Sequence, residues 1–148
     1  MTETSPPGGR ILAVSRAGTV AFVAVSAVGV VGSSLGGLVL VVDAGLALAG
    51  CVAFLAAYLQ GLHRSRTDEV GVASLFFLPA GVAPPLVRRS LLGDLVVQVA
   101  VALAAAFARP YTILAAGILV PLFGTGMCGL WAARHGTFAP RNAEGNGG

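Results

Sequence analysis

Asp94 and Gln98 are the side chains in this sequence that most invite a chemical reading. They stand four residues apart in Leu91 to Ala108, a stretch with no other charge. On a helix that spacing puts both on one face, one turn apart. An ionisable group inside an apolar segment is costly and often functional, as a proton relay, an ion site or part of a polar path. The plainer reading is that an aspartate near a helix N-terminus favours the helix dipole and rests among lipid headgroups. If the acid is buried, Arg134 is its expected partner at the same depth.

Other polar residues offer less. Asp43 is expected in a turn between two helices. Arg109, just before Pro110, can hold a lipid phosphate or simply end a helix. His63 and His135 each sit beside an arginine at a helix end. No His, Cys, Asp or Glu cluster has metal-ligand spacing. No phosphate-binding loop and no Ser/His/Asp order is present. The expectation is therefore no metal and no cofactor, and a membrane enzyme ranks third behind the two readings given below. Cys51 and Cys128 both fall in apolar segments. Helix rise puts them about 14 Å apart in depth, beyond the roughly 7 Å between Cα atoms that a disulfide tolerates. They read as small buried hydrophobes.

The elements that must position these residues are membrane helices. Hydrophobic residues make up 56% of the 148 and charged ones only 10%, with a mean hydropathy of +0.88. A soluble domain carries about 25% charged residues, so lipid is the solvent that suits this chain. All nine cations are arginine. They are scattered between apolar segments, whereas nucleic-acid binding needs a clustered basic face; a nucleic-acid partner is excluded on that ground.

Spanning a bilayer takes about 20 residues. The apolar runs predict spans at 17–42, 44–62, 91–108 and 111–133, within a transmembrane domain of residues 10–135. Polar, Gly- and Pro-containing tails are expected at 1–9 and 136–148. A secretory signal peptide is the rival for the first run. That run is long for one, and no clean cleavage site follows it. Residues 70–87 carry no charge but contain Pro79, Pro84 and Pro85; proline removes a backbone donor and breaks a helix. If this segment stays on one side, Arg109 lies alone opposite the other eight arginines. If it crosses, they divide five to four. The positive-inside rule prefers the first arrangement. The fold expected is an all-α, integral-membrane four-helix bundle, both termini cytoplasmic. A proline-broken re-entrant or interfacial segment lies between the second and third spans.

Small residues let helices approach closely in lipid. Gly45, Ala49, Ala53, Ala57 and Gly61 recur every four residues along the second span. Gly32 and Gly36 form a GxxxG pair in the first, and Ala100, Ala104 and Ala108 repeat in the third. These faces pack within the bundle or dock a membrane-protein partner or second copy. Trp131 and Tyr111 fall at opposite interface depths, where aromatic residues with a polar end collect.

The stretches Ala108-Arg109-Pro110-Tyr111-Thr112 and Gly129-Leu130-Trp131-Ala132-Ala133-Arg134-His135-Gly136, together with Gln98, resemble small uncharacterised multi-pass membrane proteins of actinobacteria. The resemblance covers about a third of the chain. It implies a cell-membrane location and says nothing about chemistry. The chain does not look like the small multidrug transporters, which carry a glutamate in the first helix. The functional expectation is an accessory or structural subunit that packs through small-residue helix faces. The alternative is a small transporter or channel using Asp94, Gln98 and the broken segment 70–87.

Overall fold

The computed structural model describes residues 7–108, 110 and 113–140. Arg109, Tyr111, Thr112 and Arg141 lie outside the described residues, as do 1–6 and 142–148 of the two tails. The described chain is helical: α1 (Gly9–Val31), α2 (Gly36–Arg64), the short α3 (Val72–Phe76), α4 (Pro85–Ala108) and α5 (Pro121–His135). Two 3₁₀ pieces, Ser33–Leu35 and Ile113–Leu119, link α1 to α2 and lead into α5. Among the described residues, four helical stretches are long and apolar enough to cross a membrane: Gly9–Val31, Gly36–Arg64, Pro85–Ala108 and Ala116–His135.

Backbone chemistry sets the helix boundaries more than charge does. The first hairpin turns at Gly32, whose backbone is extended, and at the 3₁₀ turn Ser33–Leu35. It does not turn at Asp43, which lies inside α2. The predicted boundary between spans 17–42 and 44–62 is therefore displaced by about three helical turns. Gly32 and Gly36 flank this turn and do not form a helix-packing pair. Pro85 and Pro121 stand at the first residue of α4 and α5, where a missing N–H is harmless and the fixed φ suits the helix. The fourth predicted span, 111–133, is accordingly split at Pro121.

α5 is the central helix. Buried residues make up 61% of the membrane-length window in Ala116–His135, the stretch that contains α5, against 22–33% for the other three. Its glycines admit its neighbours. A Cβ on Gly50 of α2 would lie 2.5 Å from the Phe123 backbone nitrogen, and one on Gly126 would lie 2.7 Å from the Gly50 carbonyl oxygen. The α2–α5 seam is thus backbone against backbone.

The small-residue stripe of α2 is used only in part. Ala53, Ala57 and Gly61 are buried, whereas Gly45 and Ala49 face outward. Each four-residue step turns about 40° past a full helical turn, so four steps rotate the stripe by about 160°. The line that stays inside alternates shorter steps: Val39, Asp43, Gly50, Ala53, Ala57 and Gly61. The same drift leaves Ala100, Ala104 and Ala108 exposed on α4 while Ala102 and Ala105 are buried.

Of the segment 70–87, residues 70–84 hold only the short α3, and 85–87 open α4. The segment folds over the end of the bundle that carries both described chain ends. Leu75, Phe76, Leu78, Val82 and Val87 enter the main core, and Phe76 stacks on Phe54 of α2 with ring centroids 4.3 Å apart. Arg64 ties this end together. Its guanidinium donates to the Ala133 and Gly136 carbonyl oxygens and to Asp68 Oδ2, and it lies over the Phe138 ring. Residues 136–140, placed by the sequence in a polar tail, pack here: the Thr137 hydroxyl donates to the Gly81 carbonyl oxygen at 2.6 Å. The Trp131 indole N–H donates to the Pro7 carbonyl oxygen at 2.9 Å. Gly8, with φ of 77°, leaves the indole its room.

Candidate functional site

The inward face of α1 reads Ile11, Ser15, Thr19, Phe22, Ser26 and Gly29, unusually polar for a helix in an apolar bundle. The inward face of α4 reads Val87, Leu91, Asp94, Gln98, Ala102 and Ala105. Both helices carry two polar residues one turn apart, and those pairs meet.

Asp94 is 5% exposed. The Ser15 hydroxyl donates to its Oδ2 at 3.0 Å, and Arg16 Nε lies 2.9 Å from its Oδ1. Arg16 also donates from Nη2 to the Ser90 hydroxyl at 3.1 Å. The arginine is two-faced: its side chain is 61% exposed while that of Asp94 is 7% exposed. Its stem thus carries a cation from the surface onto a buried acid.

One turn deeper, Gln98 is fully buried. The Gly124 backbone N–H of α5 donates to its Oε1 at 3.0 Å. Because that nitrogen can only donate, the amide orientation is fixed and Nε2 faces α1. There it donates to the Thr19 hydroxyl oxygen at 2.7 Å, and that hydroxyl donates its own hydrogen bond to the Ser15 carbonyl oxygen at 2.9 Å. A Cβ on Gly124 would come within 2.7 Å of Gln98 Oε1, so glycine is what lets the amide reach the α5 backbone.

Ser15, Arg16, Thr19, Ser90, Asp94, Gln98 and Gly124 thus form one connected polar core joining α1, α4 and α5. Asp94 and Gln98 share a face and are buried, as their spacing suggested. Arg134 is not the partner of Asp94: it is exposed near the end of α5, and Arg16 holds the acid. A span predicted at 17–42 leaves Arg16 just outside its edge. In the structure α1 starts at Gly9, which puts Arg16 about 10 Å along the helix. The signal for the pairing was present in the sequence. Ser15 and Thr19 are spaced by four residues, as are Asp94 and Gln98, so parallel helices can match them two to two. Arg109 lies outside the described residues.

Chemically, this core suits a lock better than a reaction centre. The carboxylate is already bound to a guanidinium and a hydroxyl, and both ends of the amide are taken up by α1 and α5. Cys128 is a buried free thiol on α5, and Cys51 is a free thiol on the exposed side of α2. Gly32-Ser33-Ser34-Leu35-Gly36 fits the spelling G-x-S-x-G, but a nucleophile elbow follows a strand and these residues follow a helix.

No protein-family model, curated protein or solved structure matches the chain.

Proposed function

We propose that this protein is an accessory subunit of the cell membrane that binds a transmembrane helix of a partner along the outer side of α2. The observation that carries the reading is the outward half of the small-residue stripe. A Cβ placed at Gly45 meets nothing within 4 Å. With Leu48, Ala49, Val52, Ala56 and Leu130, it lines a shallow groove that ends at Arg134. In lipid, such a groove admits a second helix at close range. Arg134 at its mouth favours a partner helix with an acidic residue at the matching end. The core described above supports the same reading from within, because its hydrogen bonds are spent on holding the bundle together.

Arg10, Arg64, Arg66, Arg88, Arg89 and Arg134 gather at the bundle end that carries both described chain ends. By the positive-inside rule that end is cytoplasmic. Segment 70–87 then dips into the bilayer from the cytoplasm. Phe76 meets Phe54, ten residues before Arg64 and so about 15 Å along α2. A membrane-impermeant reagent added to intact cells should spare residues after His135; labelling there sinks the orientation.

The partner reading is tested by photo-crosslinking in native membranes. A crosslinker at Leu48 should give a discrete adduct whose partner, once sequenced, has a helix of the stated kind, and Ala49→Leu should abolish it. A crosslinker at Val96, exposed on α4, is the control. Equal yields from the two positions overturn the reading. Ala53 does not serve for this test, because it is buried against Gly126.

The burial of Asp94 and Gln98 favours a second reading, a small transporter. Asp94→Asn separates the two: transport lost with assembly intact supports the transporter, and assembly lost supports the lock.

A further inference from the structure

Asp43 belongs to neither the α2–α5 seam nor the polar core. It lies about 10 Å from the start of α2 by helix rise. It is 2% exposed, and its Oδ1 meets no hydrogen-bond partner among the described residues. Two neighbours enclose it. One is Phe22 of α1, fully buried. The other is Gly117 in the 3₁₀ segment Ile113–Leu119, where an added Cβ would lie 3.2 Å from Asp43 Oδ2 and 3.2 Å from the Phe22 ring. The backbone at Gly117 therefore closes directly over the carboxyl.

Charges from the surrounding elements are few. On α1 the nearest in sequence is Arg16, committed to Asp94; Arg10 is further toward the other end. On α4 the only charges are Arg88, Arg89 and Asp94, all in its first half. On α5 they are Arg134 and His135 at its last turn, and on α2 itself His63 and Arg64 at its far end. The 3₁₀ segment has none. Arg109 and Tyr111, between α4 and that segment, lie outside the described residues.

An ionised carboxylate in an apolar interior, with one oxygen lacking a donor, is far costlier than the neutral acid. We propose that Asp43 is a proton-binding site: its carboxylate takes up one proton to become the acid, and the proton exchanges with water at the end of the bundle remote from the chain ends. The 3₁₀ segment is the door. Its seven residues exceed the three or four usual for this weaker helix.

Infrared spectroscopy of the full chain in phospholipid vesicles, grown with ¹³C-carboxyl aspartate, tests this directly. The chain has three aspartates: Asp43, Asp68 and Asp94. Asp68 pairs with Arg64 and Asp94 with Arg16, and loss of an isotope-shifted protonated-acid band in Asp43→Asn assigns that band to Asp43. The expected result is such a band, moving to lower frequency in D₂O, weakening as pH rises, and lost in Asp43→Asn. Finding all three aspartates as carboxylates at neutral pH overturns the proposal, and that is also the outcome if Arg109 pairs with Asp43. A protonated band that never exchanges in D₂O overturns the exchange route.

Discussion

Two seams hold this bundle, and they work by opposite means. Between α2 and α5, glycine removes side chains altogether and the backbones touch. Between α1 and α4, side chains are kept and made polar, and their hydrogen bonds extend to α5. Contact without hydrogen bonds tolerates no added volume, because the neighbouring atoms are backbone. A hydrogen-bonded seam tolerates volume better but not the loss of one partner, because what remains is a buried polar group.

The largest effect expected follows from that asymmetry. Arg16→Ala leaves Asp94 buried without its counter-charge and should lower stability by about 3 kcal/mol, the scale of an uncompensated acid in a membrane. Arg16→Ala with Asp94→Asn should recover most of the loss. Thermal unfolding of both variants in detergent checks this, and a double mutant no better than the single one breaks the assignment of the pair. Next is Gly50→Val, which forces α2 away from the Phe123 backbone at a cost of about 1–3 kcal/mol by overpacking. An unchanged unfolding temperature would mean the α2–α5 seam is looser than described. Gln98→Leu should cost about 1 kcal/mol, since interhelical hydrogen bonds in membranes are modest and the Gly124 N–H is left unpaired. Smallest of all, Ala49→Leu on the outward side of α2 should change stability by less than about 0.5 kcal/mol; a larger loss would put that face inside the bundle.

The sequence was informative where hydrophobicity decides and misleading where backbone geometry does. Four long apolar helices are readable from uncharged length, and the break at Pro79 to Pro85 from proline alone. The first hairpin was misplaced because Asp43 was assumed to need water, while the true turn carries no charge and is signalled by Gly32, the two serines after it, Gly36 and Gly37. The four-residue stripe on α2 looked like one face because each step is close to a turn, yet the error accumulates along the helix. The glycines of α5 were passed over although Gly124, Gly126 and Gly129 determine which helix lies at the centre. Asp94 and Gln98 were found from their spacing. Arg16 is not legible as a partner, because a charge near the apparent edge of a span reads as an anchor.

The position of α5 also has a consequence for biogenesis. The helix that fills the interior is the last of the five to leave the ribosome. Until it arrives, α1, α2 and α4 surround an unfilled centre, with the Gln98 oxygen still awaiting the Gly124 amide and Gly50 still facing lipid. A nascent chain stalled before Pro121 would therefore be a set of inserted but unassembled segments, exposed to quality-control proteases for as long as the delay lasts.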